Sequence, residues 1–349
     1  MPQLWISAFG QRFKLRKWLW IAGAGLSGLS LMLIATVSFY FTGWLAGVLM
    51  LTFLTLYSFG RGICSLTAKE VLGKIVARSI RGRLMGWSAS LSGLSILVLG
   101  LAYIQLAGTS QDADLVSLLL VIAAILWVVA AFHFAKIVEP EQHLSDEKSI
   151  IDELKSQFRL LSNDADLRRF IWVRGLLLAS ALVHPFIVVL IQEDSGSDLS
   201  ALGGLLVISA LASALASPFW GYFGDMDSPK VMAVASLISG LLSLAVGCVA
   251  LWDINGAAGY WFFAVAYAVI TVAHSGVRLG RKVYLLDLTD THNRGAYTAL
   301  ANTLIGCLMI LAGTLGLASQ FLGSEITLIL LGVVSFVAAT QALRLKSVG

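Results

Sequence analysis

Lysine and arginine gather in alternate gaps between long apolar stretches, and the intervening gaps hold neither. Basic residues resist translocation across a bilayer, so this alternation requires a chain that crosses repeatedly and marks the gaps that stay inside. The gaps carrying Arg12 to Lys17, Lys69 to Arg83, Lys136 to Arg174, Lys230, Arg278 to Arg294 and Arg344 to Lys346 are expected to face the cytoplasm, and both termini with them. Hydrophobic residues make up 58% of the chain and charged residues 13%, well away from the roughly 45–50% and 25% of soluble domains. The lipid bilayer is therefore its first partner. A net charge of +4 would suggest nucleic acid in a soluble chain. Here the basic residues are topology signals and contacts for anionic lipid, so no nucleic-acid partner is expected.

A hydrocarbon core of roughly 30 Å takes about 20 apolar residues of helix. That window gives ten spans, near 18–39, 45–66, 84–106, 115–136, 170–192, 200–222, 231–252, 257–277, 295–319 and 325–344. One missed span would reverse the charge alternation downstream, and only an even number returns both termini to one side. Tyr40, Trp44, Trp252 and Trp261 lie at the non-basic ends together with Glu325, as an outer interfacial belt requires. The first span is about 22 residues long against about 7–15 for a signal-peptide core, so it is read as retained. Cys64, Cys248 and Cys307 sit singly in apolar segments at no metal-ligand spacing and are read as small packing residues.

One gap, near 137–169, is much longer than the others. Within it Ile150, Ile151, Leu154, Phe158 and Leu161 recur at helical spacing beside charged residues, which predicts an amphipathic helix on the cytoplasmic surface. It serves as a plain linker or as a regulatory, partner-binding element. The chain thus divides into an N-terminal bundle of four spans (1–138), the linker (139–168) and a C-terminal bundle of six spans (169–349).

An internal repeat relates the bundles. Arg81-Gly82-Arg83 opens the third span and leads to Leu91-Ser92-Gly93, while Arg294-Gly295-Ala296 opens the ninth and leads to Leu304-Ile305-Gly306. Lys69 and Lys282 match at the same offset. Recurrence six spans apart, entering from the same side, describes a parallel repeat of six-helix units.

The stretch from Gly221 to Lys230, joining the sixth and seventh spans, resembles the loop signature Gly-x-x-x-Asp-Arg-x-Gly-x-Arg-Lys of the major facilitator superfamily. Gly221, Asp225 and Lys230 fit; Met226 and Ser228 depart from the pattern. A first copy falls at residues 9–17, with Gln11 standing in for the acid. The Arg-Gly starts of the third and ninth spans resemble the cytoplasmic starts of family helices five and eleven. The run from Leu167 to Phe186 is similar to the start of the family's second half. The resemblance covers essentially the whole chain. It implies an all-α, two-bundle fold with ten transmembrane helices, four plus six, lacking the counterparts of family helices one and two. A start upstream of Met1 and a genuinely short member are both compatible with that count.

The resemblance also implies a solute site near the bilayer midplane between the two halves. A charge at the bilayer centre costs roughly 2.5–3.5 kcal/mol on insertion scales, so each polar group inside a span needs a reason. All 20 carboxylates fall in gaps or at span ends, leaving no acid for proton coupling. Arg61, between Gly60 and Gly62, is a candidate for an anionic substrate group or a partner carboxylate, against simple snorkelling to the surface. His184, preceding Pro185, is a candidate proton relay, against a histidine satisfied by a neighbouring helix. His274 matches Arg61 in the repeat, and Asn302 offers hydrogen bonds that helix packing alone explains. Asp225, Lys230, Arg81 and Arg294, with Gly221, Gly82 and Gly295 for close approach, read as gating residues at the cytoplasmic ends.

These features predict a permease: a secondary transporter of a small solute, a monomer in the bacterial inner membrane, working by alternating access between two helical bundles. A ten-helix drug/metabolite-type carrier and a truncated, non-transporting relic, sensor or scaffold are the alternatives. No Gly-rich run precedes Lys-Ser or Lys-Thr, and no nucleophile, acid pair or metal cluster stands at chemical spacing. Neither enzyme activity nor a cofactor is expected. The absence of proline from residues 84–106 removes the Gly-Pro signature of many drug–proton antiporters.

Overall fold

The computed structural model describes residues 3–10, 12–107, 112–141, 150–194, 199–252, 257–289 and 293–346, and every regular element among them is helical. In chain order these are α1 (Gln3–Gly10), α2 (Arg16–Tyr40), α3 (Gly43–Ile75), α4 (Arg81–Ala107), α5 (Asp112–Ala135), α6 (Ile150–Asn163) and α7 (Ala165–Leu176). They continue with α8 (Ala179–Asp194), α9 (Leu199–Met226), α10 (Ser228–Leu251), α11 (Ala257–Leu288), α12 (Arg294–Ala312), α13 (Leu315–Leu322) and α14 (Ser324–Leu343). Gln11, read as taking the place of the acid in the first loop copy, lies outside the described residues.

Ten segments are long and apolar enough to cross a membrane, and they coincide with the ten expected spans; α7 with α8, and α12 with α13, each make up one of them. At the basic ends the helices run further than hydropathy alone indicates, α3 to Ile75 and α11 to Leu288. Thr67 and Val71, and likewise Val283 and Leu286, continue a buried stripe beyond the apolar window, so packing sustains the helix after hydropathy has fallen. Turns are tight where the chain reverses: Gly43 and Gly323 take φ values of 70° and 84°, conformations that only glycine adopts without strain. The amphipathic helix forms as α6; Gln157 is its buried residue, while Ile151 and Phe158 are exposed.

By residue contacts the chain forms two compact units, one of residues 1–76, 99–160 and 289–303, the other of 77–98, 161–288 and 304–349. In the first, α2 packs against α3 and α5. Cys64 Sγ lies 3.4 Å from Trp20 O, Trp20 stacks on Phe134 at 4.0 Å, and Gly60 allows α3 to approach Gly23 and Ser27 of α2. In the second, α10 and α14 meet through Gly240, Gly332 and Ser335. Ser236 and Ser243 donate across the contact to Ser335 O at 2.9 Å and Leu328 O at 2.7 Å. Small residues and hydroxyl–carbonyl bonds are the natural adhesive between helices in lipid, where apolar burial supplies little drive. A buried cluster including Val183, Ile187, Ile191, Val246, Phe263, Ile270 and Leu328 fills the space between α8, α10, α11 and α14.

Candidate gating and solute-site residues

Each Arg-Gly helix start is closed by an acid from a distant part of the chain. In the second unit, Asp225 at the end of α9 accepts hydrogen bonds from the backbone N–H groups of Gly82 and of Arg83, the latter at 2.9 Å. The first turn of a helix has unsatisfied N–H groups and a partial positive charge, so a carboxylate there is bonded and electrostatically favoured. The approach demands glycine. A Cβ on Gly82 would collide with Gly221 O and the Asp225 carboxylate, and one on Gly221 would collide with Gly82 O. Beside this contact Arg81 donates to Asp287 Oδ1 at 2.6 Å and to Leu286 O at 3.3 Å, with both side chains of the ion pair buried.

In the first unit an acid also lies against the start of α12, by close packing. A Cβ on Gly295 would collide with Glu70 Oε1, and Arg16 Nε holds the other carboxylate oxygen at 2.7 Å. Arg294 donates to Thr289 O at 3.1 Å, and its guanidinium lies where a side chain on Gly73 would have to be. Next to it, Glu139 closes the N-terminus of α2. It accepts from Arg16 N at 3.1 Å and Lys17 N at 2.8 Å and pairs with Lys74 at 2.6 Å. Leu15 at the N-cap position has no capping side chain, so the carboxylate arrives from the linker instead. Lys17 Nζ reaches the carbonyls of Ala135 and Ile137 at 3.2 and 2.9 Å, which fastens the end of α5 to the start of α2.

His184 and His274 come together on the facing sides of α8 and α11, with ring centroids 5.6 Å apart. Pro185 does not break α8; the helix interruption falls at Leu177-Leu178 instead. Proline lacks the N–H that would bond Ala181 O. His184 Nδ1 donates to that same carbonyl at 3.2 Å and so makes up for the missing bond. On the other side, His184 Nε2 lies 3.3 Å from Thr271 Oγ1, which is itself 2.8 Å from Tyr267 O. One hydroxyl proton cannot serve both neighbours. With both ring nitrogens of His184 protonated, Nε2–H donates to Thr271, Thr271 donates to Tyr267 O, and the whole chain of bonds forms at once. Ser180 donates to Leu177 O at 2.9 Å, a carbonyl at the helix break, and accepts from His274 Nδ1 at 3.0 Å.

The other expected residues lie apart. Arg61 is exposed on α3 and makes no ion pair among the described residues; its charge acts on Cys64. Asn302 donates to Gln3 Oε1 at 2.7 Å, tying α12 to α1. Lys230 pairs at 2.8 Å with Asp227, the N-cap of its own helix, and its side chain is largely exposed. Glu70, Glu139, Asp287 and Thr271 were not singled out from the sequence. Glu70 and Asp287 lie in the helical extensions beyond the apolar windows, and Glu139 acts on a helix more than a hundred residues away.

A family model described as Major Facilitator Superfamily matches residues 175–347. Among solved structures, the E. coli fucose:proton symporter superposes with a TM-score of 0.72 at 14% identity, over 98% of this chain and 87% of that one. A proton:xylose symporter bound to 6-bromo-6-deoxy-D-glucose gives 0.66 at 13% identity, over 97% and 82%. These likenesses establish the fold, and nothing in them favours a drug/metabolite-type carrier or a non-transporting relic. A search of curated proteins found no match.

Proposed function

We propose that the chain, whose residues 175–347 match the Major Facilitator Superfamily model, is a transporter rather than an enzyme and carries a small solute by alternating access between two helical bundles. The observation that supports this reading is an acid placed at each Arg-Gly helix start, Asp225 bonded to the first turn at Gly82 and Glu70 packed closely against Gly295. A carboxylate on a helix N-terminus is a contact that can be made and released as a unit, and its release favours the state open at the basic end. His184 is the coupling group, able to take up a proton where no mid-span carboxylate exists among the described residues. Arg61, His274 and Asn302 complete the solute-site candidates. The basic end faces the cytoplasm, both termini lie there, and the protein acts as a monomer in the bacterial inner membrane.

Purified protein in proteoliposomes, preloaded with single members of a panel of sugars, organic anions and organic cations, should exchange at least one in a counterflow assay. In the Asp225→Asn variant a cysteine placed at Ala89 should be alkylated faster from the basic side. Absence of counterflow across the panel, with folded protein present, would remove the transporter reading.

A further inference from the structure

One groove lies wholly within the second unit, between α7 with α8, α12 with α13, and α14, and its volume is about 720 Å³. Pockets that enclose a whole small ligand measure roughly 300–1,000 Å³. Small residues on its walls, Gly175, Ala179, Ala312 and Ala318, make the room, and Leu182, Leu311, Leu330 and Leu331 give it an apolar lining. Leu311 and Leu330 are exposed, so the groove can be reached from outside the unit. It crosses much of the span. The walls run from Arg168, in the first turn of a span at the basic end, to Leu322 and Thr327, beside the turn at the opposite end. Along α7 and α8 alone, Arg168 to Leu182 covers about 21 Å at 1.5 Å per residue, against roughly 15 Å for one leaflet's half of the hydrocarbon core.

The groove has one charged end. Arg168 is exposed, and its Nη1 donates to Leu161 O at 3.1 Å and to Ser162 O, which holds the guanidinium across the end of α6. Among the described residues its Nε and Nη2 donate to no protein acceptor, so part of the planar fork is left for a ligand. Trp172 lines the groove one turn further along α7 and is exposed as well, as an indole at headgroup level is in membrane proteins generally. No acid among the described residues lines the groove. Asp164, the acid at the N-cap of α7, instead accepts from the backbone N–H groups of Asp166 and Leu167 at 2.9 and 3.0 Å.

We propose that this groove seats an anionic phospholipid from the leaflet at the basic end, with its phosphate on Arg168 beside Trp172 and an acyl chain along the leucines toward Leu331. A guanidinium presents paired donors that match two phosphate oxygens. A headgroup that keeps its net negative charge is preferred to a zwitterionic one, whose own cation competes with Arg168. The acyl chain supplies dispersion contacts to walls that would otherwise lack them. A dissolved phosphate shares the headgroup's chemistry but leaves the apolar length of the groove uncovered. The site stands on its own geometry and is independent of the transporter reading.

The full chain, purified in a neutral detergent, should be titrated with phosphatidylglycerol, with phosphatidylcholine of the same acyl chains and with glycerol 3-phosphate, while its thermal unfolding is followed. Phosphatidylglycerol should raise the midpoint saturably, and phosphatidylcholine should need a concentration about tenfold higher. Arg168→Gln should shift half-saturation for phosphatidylglycerol upward by about tenfold, the loss of one charge-assisted contact. Ala318→Phe, which fills the groove, should weaken binding of both lipids. Arg344, an exposed basic residue at the same end, does not line the groove, so Arg344→Gln should titrate like the parent. The two groove variants act on different parts of the site and guard against one that fails to fold. Equal half-saturation for the two lipids, a parent-like titration in a folded groove variant, an equal shift from Arg344→Gln, or the same rise with glycerol 3-phosphate would overturn the proposal. A dimer that Ala318→Phe disperses and that phosphatidylglycerol leaves intact would assign the groove to a second copy of the chain instead.

Discussion

The carboxylate of Glu70 fills the space that a side chain on Gly295 would need, and Arg16 fastens it there at 2.7 Å. Asp225 stands in the same relation to Gly82. Glycine is thus required at two helix starts by close approach, since in both cases an acid from elsewhere in the chain occupies the first turn.

Gly82→Ala and Gly295→Ala should each lower thermal stability, by about 1–3 kcal/mol, the usual cost of overfilling a close contact. Gly25, which has nothing within 4 Å of its virtual Cβ, provides the matched control. Unfolding midpoints in detergent that are equal for all three variants would show that neither acid is closely seated.

Removing one member of the buried Arg16–Glu70 pair leaves an uncompensated charge, so Glu70→Ala should cost about 3–5 kcal/mol. Combining it with Arg16→Met should restore part of that loss, because the orphaned guanidinium is then gone as well. A double-mutant cycle on unfolding midpoints measures the coupling; strict additivity would mean that the pair does not act as one.

Arg61→Ala and His184→Ala should slow counterflow by about tenfold or more, equivalent to roughly 1.4 kcal/mol in the transition state, while the yield and gel-filtration profile of the protein stay unchanged. Normal flux in both variants would dismiss these side chains from the solute path.

Helix α6 should lie on the cytoplasmic side. In a cysteine-free background, Lys155→Cys should react with a membrane-impermeant maleimide in inverted vesicles and stay unlabelled in intact cells. The opposite pattern would invert the whole orientation.

The ten spans and the Arg-Gly repeat were legible in the sequence because lipid imposes apolar windows of fixed length and because the repeat copies short-range patterns in register. The gating acids were readable only in part. Asp225 sits in a local signature, whereas Glu70 occupies a helical extension held by packing rather than hydropathy, and Glu139 closes a helix that begins 123 residues earlier. Pro185 lies within an unbroken helix. Local sequence carries no sign that the neighbouring imidazole takes over the vacated carbonyl, which depends on rotamer and on the wall formed by Thr271. Lys230 illustrates the converse: it fits the family pattern in position but is engaged within its own first turn.

Because Glu139 seals the foot of the first span from within the connection between the repeats, that connection is anchored on one side before it sets out. Severing the gene after Glu141 and co-expressing the two pieces leaves the seal intact and Lys74 neutralised. A cut four residues earlier, after Ile137, would place Lys74 and the exposed helix start on a fragment that no longer carries their carboxylate.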